Sequence, residues 1–477
     1  MIKFIGREKE MEILEHEFSK NTASMIVIYG RRRVGKTRLI EEFVKNKKFF
    51  YYLAADEKEE LQIREFKEGI ANFLQDEALT QIEIRDWKVL FSYLQKIWPV
   101  NEKLVLVIDE FTYMIKQNPS IVSYLQRFWD RFLSKTATKL ILCGSLVGLM
   151  IKNVLEESSP LYGRRTAEIF LEKFGIKEVM EFLDVDIENA IKFYSVLDGI
   201  PKYLELVDTR DFEEFLFRVL DKRSFFYREG YYLMTEELKQ IPTYMNILRA
   251  IGDGNTKIAE ISNFTGIEAK KLYPYLEILE NTGFVKRKEP LLGKKRQSIF
   301  LIEDNFLDFW FRFIHKYRAY IELDRVVEIR QKILSEINSF VGRKFEKVCE
   351  DFVRKKFNFL NVGRQWGKIP KEFKPERGRD TYEIDIVALN EKTKEILLAE
   401  CKWQNRVNAR KICKELAEKS QYVQWHNDKR KEGFAIFAKS FSKRINEFEG
   451  RKVYCFDLRD MEKVIKNHHD NMKTLLL

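Results

Sequence analysis

Met25-Ile26-Val27-Ile28-Tyr29, followed at once by Gly30-Arg31-Arg32-Arg33-Val34-Gly35-Lys36-Thr37, decides how the first part of this chain folds. The apolar run reads as a buried strand and Lys36–Lys45 as a helix, and the residues between fill every fixed position of G-x-x-x-x-G-K-[ST]. Glycines in such a loop let backbone N–H groups turn inward, and the start of the following helix adds its positive end, so the unit suits the phosphates of a nucleoside triphosphate. On this basis Gly30, Arg31, Arg32, Arg33, Val34 and Gly35 form a cradle for ATP. Lys36 reaches the β- and γ-phosphates, and the Thr37 hydroxyl ligates Mg²⁺.

Two more apolar runs extend the pattern. Leu104–Ile108 (LVLVI) ends in Asp109-Glu110, where a strand end presents the Asp109 carboxylate to the metal and Glu110 is placed to orient or deprotonate the attacking water. Leu140–Cys143 leads to Gly144-Ser145, so Ser145 either contacts the γ-phosphate or the lytic water, or simply caps a helix. Helical patterns at Arg85–Ile97 and Ile121–Ser134 lie between, and the alternation predicts a parallel α/β sheet ending near Phe174. Beyond the last strand, SPLYGRRT brings Arg164 and Arg165. An arginine there either stabilises transition-state charge, within the chain or on a neighbour, or forms surface ion pairs.

Residues 175–240 have helical periodicity throughout, as a small lid would. Residues 241–318 read as three helices and a two-stranded ribbon, the order of a winged helix-turn-helix, with an aromatic connector. The ribbon is basic: Lys286, Arg287, Lys288, Lys294, Lys295 and Arg296 are opposed only by Glu289. With Lys270 and Lys271 of the presumed recognition helix they form the expected DNA contacts. Pro274 lies in that helix pattern, so either the helix starts near Tyr273 or it is bent.

Residues 319–477 form a second α/β unit. Tyr382-Glu383-Ile384-Asp385-Ile386 is a strand, and Ala399-Glu400-Cys401-Lys402 ends another. Residues two apart on a strand share a face, so Glu400 and Lys402 converge. Asp385 and Glu400 hold Mg²⁺, Glu346 on the preceding helix completes the oxygen ligands, and Lys402 positions or activates water. The order of helix and strands resembles the PD-(D/E)XK nuclease fold.

Phe4-Ile5-Gly6-Arg7-Glu8, GRRRVGKT, VIDEF, CGS, SPLYGRRT and Gly199-Ile200-Pro201-Lys202-Tyr203-Leu204 occur in this order. In them the chain resembles the archaeal-type P-loop ATPases of the AAA+/STAND group that carry a C-terminal nuclease-like domain. The resemblance implies that Ile5 and Gly6 lie near the adenine and that the GIPKYL turn senses nucleotide state. Ser145-Leu146 departs from the pair of serines common in that family. A homo-oligomeric ring, as in AAA+ proteins, and a monomer are both compatible with it.

The fold class expected is therefore α/β: residues 1–174 a P-loop sheet, then a helical lid, a winged helix, and a restriction-endonuclease-like domain. At 477 residues with 45% hydrophobic and 33% charged content, the chain fills several cores. Its 85 basic against 74 acidic residues, net +11, are compatible with DNA or with a merely lysine-rich surface. Five cysteines without a CxxC pair argue against a disulfide framework or a structural zinc, and His468–His469 read as a tail. The N-terminus lacks a signal-peptide core and no run is long enough to span a bilayer, so a cytoplasmic location without membrane partners is expected. Two functions compete: an ATP-driven enzyme that cuts DNA, and a nucleotide-controlled switch with an inactive nuclease-like domain. A transcriptional regulator ranks behind both.

Overall fold

The computed structural model describes residues 4–293, 297–357, 359–373 and 380–467. Lys294, Lys295 and Arg296 of the expected DNA-contacting set, and the His468–His469 pair, lie outside the described residues. The chain divides into two compact units, one of residues 1–174 with 200–206, the other of 175–199 with 207–477.

In the first unit the strands are β1 (Ser24–Tyr29), β2 (Phe49–Leu53), β3 (Val105–Asp109), β4 (Lys139–Gly144) and β5 (Ala167–Phe170). They form one parallel sheet in the order β2-β3-β4-β1-β5. β1, β3 and β4 are buried along their whole length, which is why they read as unbroken apolar runs. One face packs Met25, Val27, Leu106, Ile108, Leu140 and Leu142 into a core with helices that include Trp87–Ile97 and Ile121–Arg131. The first of those helices starts two residues later than its apolar period predicts, because the Asp86 carboxylate accepts from Lys88 N–H and Val89 N–H as its cap. Since β4 runs between β1 and β3, its end lies beside the strand end that leads into the phosphate loop, and the turn after it meets the Asp109-Glu110 end.

The loop itself needs unusual backbone. Gly30 has φ +154° and Gly35 φ +95°, and Arg33 between them has φ 68°. At Gly30 a Cβ would come within 2.5 Å of the Leu171 carbonyl oxygen, while Leu171 N–H donates to Tyr29 O at 2.7 Å. That contact is backbone on backbone and leaves no rotamer to move aside.

The helical stretch expected to form one lid is split. The helix Ile187–Leu197 belongs to the second unit, where it packs on Asn305–Phe309 and on the long helix Arg330–Lys356. Its end is fixed there by Asn305, whose N–H donates to Asp198 Oδ2 at 3.2 Å and whose amide donates to Tyr194 O at 3.2 Å. The next residues, Ile200–Leu206, return to the first unit. Helical periodicity says only that a face is buried, not against which neighbour.

Helices Ile241–Gly252, Ile258–Thr265 and Ala269–Asn281 follow, then the antiparallel pair β6 (Val285–Lys288) and β7 (Ile299–Ile302). Pro274 stands inside the third helix, so that helix does not begin at Tyr273. The C-terminal sheet contains β8 (Asn361–Lys368), β9 (Thr381–Asn390), β10 (Glu395–Lys402), β12 (Lys431–Ala438), β14 (Glu447–Phe448) and β15 (Arg451–Phe456). Its order is β14-β15-β12-β10-β9-β8, and a small pair of β11 (Val407–Asn408) and β13 (Phe441–Lys443) lies apart from it. The sheet is mixed: β10, β12 and β15 are parallel, β8 and β9 antiparallel.

Gly30→Ala is expected to lower unfolding stability by about 2 kcal/mol or more, since a strained φ and a backbone clash act together. Chemical denaturation of the variant against wild type measures this.

Candidate functional site

In the first unit, Asp109 is 1% exposed and both of its oxygens are engaged. Oδ2 accepts from Thr37 Oγ1 at 2.9 Å and from the Tyr51 hydroxyl; Oδ1 accepts from Glu110 N–H at 2.8 Å. Glu110 has φ 52°, a left-handed conformation rare for a side-chain-bearing residue and concentrated at functional sites. Its Oε2 accepts from Ser145 Oγ at 2.7 Å and Ser145 N–H at 3.3 Å. The structure thus brings together the ends of β1, β3 and β4: Thr37, Asp109, Glu110 and Ser145.

Lys36 is 6% exposed, and its ammonium donates to Gly30 O at 2.9 Å and Arg31 O at 3.1 Å, so it is held at the mouth of its own loop. Arg32 donates to the Tyr113 hydroxyl, and Arg33 lies over the Tyr203 ring at 5.7 Å. Tyr203 belongs to the GIPKYL turn, which therefore touches the loop through a cation–π contact. Ile5 and Gly6 are half-buried and precede Arg7. The Arg7 guanidinium donates to Val34 O at 3.0 Å and Glu172 O at 2.7 Å and stacks on Phe174 at 4.9 Å. Its five-donor fork thus ties the N-terminal segment to the loop. Arg7 stands within Phe4-Ile5-Gly6-Arg7-Glu8, whose pattern gives no sign of this task.

Thr37 and Asp109 are oxygen donors within hydrogen-bond reach of each other, a set that suits Mg²⁺. At Gly35 an added Cβ would meet nothing within 4 Å, so the loop is open on that side. The site's residues fit a metal–nucleotide complex.

Arg164 and Arg165 are engaged elsewhere within their own unit. Arg164 makes a two-pronged ion pair with Asp130 at 2.7 and 2.8 Å and holds Asp130 below the usual carboxylate range. Arg165 pairs with Glu168 at 2.8 Å, and Glu168 accepts from the Tyr29 hydroxyl at 2.8 Å. Neither makes a hydrogen bond or ion pair to Lys36, Thr37, Asp109 or Glu110 among the described residues.

In the second unit, three residue steps along β9, Val387 to Ile384, match two along β8, Gly363 to Gln365. The extra residue is a β-bulge at the level of Asp385, a device that re-aims a side chain. Cys401 N–H donates to Asp385 Oδ2 at 2.8 Å. Burial, then the nearby charges of Glu400 and Glu346, push Asp385 up to about 7 from an ordinary 3.8. Burial also raises Glu346, against the opposing pull of Arg364, Lys402 and Arg343. Glu400 differs. Although burial works against its charge, Lys402 and Lys419 hold it below the ordinary value. Its Oε1 takes Lys419 at 2.6 Å and its Oε2 takes Lys402.

Asp385, Glu346, Glu400 and Lys402 therefore do converge. Lys419, from the last turn of Ala409–Ser420, and Arg364, 3.9 Å from Glu346 and paired with Glu383, join them without a motif to announce them. Among the described residues no group of three or more carboxylate, imidazole or thiol side chains is arranged to hold a metal ion. Asp385 and Glu346 have the chemistry for a hard cation, but Glu400 is committed to two ammonium groups.

Lys270, Lys271, Lys286 and Arg287 are exposed, with Lys271 near Glu268 at 3.3 Å and Arg287 near Glu289 at 3.5 Å. Lys288 is half-buried, and burial lowers its pKa despite Glu350 and Glu303 nearby, so it does not stand out as a free surface cation. The loop between β6 and β7 is fastened to β8: Leu291 N–H donates to Arg364 O at 3.0 Å, Leu292 N–H to Gln365 Oε1 at 2.8 Å, and Trp366 Nε1–H to Gln297 O at 3.0 Å. No helix among the described residues is long and apolar enough to cross a membrane.

Sheet order, loop and the Asp109-Glu110 strand together define a P-loop ATPase. Residues 4–207 match a family described as an ATPase domain predominantly from Archaea, and residues 310–412 match one described as "Archaea bacterial proteins of unknown function". A protein of Methanocaldococcus jannaschii is 34% identical over 470 residues, covering 96% of this chain and 99% of its own. A second protein of that organism, ATP-binding by name, is 50% identical over 48 residues, 10% of this chain and 81% of its own. A Walker-type ATPase of Pyrococcus abyssi has a similar fold, with a TM-score of 0.50 at 22% identity over 65% of this chain and 96% of that one. The chain belongs to the archaeal-type P-loop ATPases that carry this second, C-terminal domain.

The native Asp385 carboxyl titrates near 7, so between about pH 4 and 7 the unfolded chain releases a proton that the folded chain keeps, and stability falls as pH rises through that window. Asp385→Asn keeps the acceptor for Cys401 N–H and removes the half-buried charge. Its Tm is expected to exceed wild type clearly at pH 8 and by less at pH 5, as scanning calorimetry at the two pH values would measure.

Proposed function

We propose that the chain is a Mg²⁺-dependent ATPase that acts on DNA and couples nucleotide state to a metal-dependent nuclease-like centre in its C-terminal domain. The observation that carries the ATPase part is the Thr37–Asp109 hydrogen bond at 2.9 Å with Glu110 beside it at the mouth of the phosphate loop. Lys36 and the loop amides bind the triphosphate, and Thr37 and Asp109 hold Mg²⁺, which neutralises charge on the β- and γ-phosphates when bound. Glu110 takes the proton of the water whose oxygen attacks the γ-phosphorus, as the bond to the ADP oxygen breaks. Ser145, by donating to Glu110 Oε2, sets the direction of that carboxylate. Arg164 and Arg165 act, if on phosphate, only after leaving Asp130 and Glu168, or on a neighbouring copy.

The DNA part is supported by the basic helix-and-hairpin region, through the exposed Lys270, Lys271, Lys286 and Arg287, as phosphate contacts. It is also supported by Asp385 and Glu346, two half-buried carboxyls raised above their ordinary range, which a divalent cation would neutralise. Lys402 is then the residue that orients the attacking water. A second reading is favoured by a specific observation: both oxygens of Glu400 are paired with lysines, as a scaffold would have them. In that reading the chain is a nucleotide-controlled switch and the C-terminal domain does not cut.

Wild type, Lys36→Ala and Asp385→Ala, assayed for ATP hydrolysis and for DNA cleavage with Mg²⁺ or Mn²⁺, separate the two. Lys36→Ala is expected to lower ATP turnover by about 100-fold or more, since it removes the main cation from the phosphates. Asp385→Ala is expected to abolish cleavage and spare ATP hydrolysis. Equal, negligible cleavage by wild type and Asp385→Ala favours the switch. Undiminished hydrolysis by Lys36→Ala refutes the assigned site.

A further inference from the structure

Tyr51 lies on β2, an edge strand of the first sheet, and has no part in the function proposed above. Its register partner on β3 is Val107, two residues before Asp109, and alternation along the strand puts Tyr51, Val107 and Asp109 on one face. From that face the phenol hydroxyl donates to Asp109 Oδ2, the oxygen that also accepts from Thr37 Oγ1 at 2.9 Å. The other carboxylate oxygen takes Glu110 N–H at 2.8 Å. A carboxylate held by two hydroxyls on one oxygen and an amide on the other has little rotational freedom left, and fully satisfied buried networks of this kind are rigid.

We propose that Tyr51 is a positioning residue for the divalent cation of the nucleotide site: by donating to Asp109 Oδ2 it fixes the carboxylate in the orientation in which Asp109 and Thr37 present their oxygens to the metal. This rests on the ATP site assigned above and adds to it a residue outside the loop and the Asp-Glu pair. A tyrosine that merely satisfied a buried charge would affect folding and all nucleotide binding alike. A positioning residue affects the metal-dependent part.

The test follows binding, not turnover. A fluorescent ATP analogue is titrated into wild type, Tyr51→Phe, Asp109→Asn and the double variant in EDTA, and MgCl₂ is then titrated into each complex. Tyr51→Phe is expected to bind the analogue in EDTA within about twofold of wild type and to need about five- to tenfold more Mg²⁺ at the midpoint, the scale of one hydrogen bond to a charged group. On the Asp109→Asn background the same substitution is expected to move the Mg²⁺ midpoint by less than about twofold, because the coupled partner is gone. An unchanged midpoint in Tyr51→Phe overturns the proposal, as does equal weakening with and without Mg²⁺, or the full effect persisting on the Asp109→Asn background. As a measurement that leaves the fold intact, 3-fluorotyrosine incorporated at Tyr51 should show a fluorine signal that shifts when MgCl₂ joins the nucleotide complex; a signal that does not move also overturns it. If wild type binds no analogue in either condition, the ATP assignment fails and takes this inference with it. If wild type responds to Mg²⁺ and Tyr51→Phe does so equally, only the role of Tyr51 falls.

Discussion

A carboxylate buried to 1% exposure at the end of an all-apolar strand has to be hydrogen-bonded on every side, because an uncompensated charge there would be strongly destabilising. Asp109 meets that requirement with partners from three separate places: Thr37 at the start of the phosphate-loop helix, Tyr51 on β2, and the amide of Glu110. The requirement therefore fixes the geometry of the whole mouth of the sheet. Beside it the loop helix reaches β3 through Thr37, Glu110 is in the left-handed conformation, and the Glu110 carboxylate meets Ser145 beyond β4.

The second carboxylate centre is balanced in the opposite way. Asp385 accepts from one amide and has Lys402 at 4.0 Å, but burial first, and then the charges of Glu400 and Glu346, disfavour its charged form. Two lysines are drawn instead to Glu400. Arg364 lies 3.9 Å from Glu346 and Lys402 4.0 Å from Asp385, so these two acids are paired less closely than Glu400. Next to this centre, the hairpin loop fastened along β8 places the carbonyl of Arg364 under the control of Leu291 while the Arg364 side chain reaches Glu346. The basic hairpin and Glu346 of the carboxylate centre thus both contact Arg364 of β8.

Much of this was legible in the sequence wherever a strand was buried on both faces. β1, β3 and β4 announce themselves as apolar runs, and β3 ends in Asp109. β5 does not, since Glu168 interrupts its four residues, and β2, the short edge-strand run FFYYL, is exposed at both ends and was not among the expected strands. Missing β2 meant missing Tyr51. Arg7, Lys419 and Arg364 were hidden for another reason: each acts across a long sequence separation through a flexible side chain, and neither spacing nor period records such a reach. Pro274 shows the converse, a residue whose local rule favours a helix boundary but which the structure accommodates in an exposed turn of a continuing helix.

The path of the backbone has a practical consequence. Residues 1–174 and 200–206 form one unit, with 175–199 given to the other, so the chain passes between the two at 174/175, 199/200 and 206/207. A fragment ending at Phe174 would lack Ile200, Tyr203 and Leu204, each 1% exposed in the intact chain, and with them the ring that faces Arg33. Truncation at the apparent boundary would yield a sticky remnant with a loosened phosphate loop. Separate production of the two halves calls for a linker from Phe174 to Ile200 in one and from Gly199 to Val207 in the other.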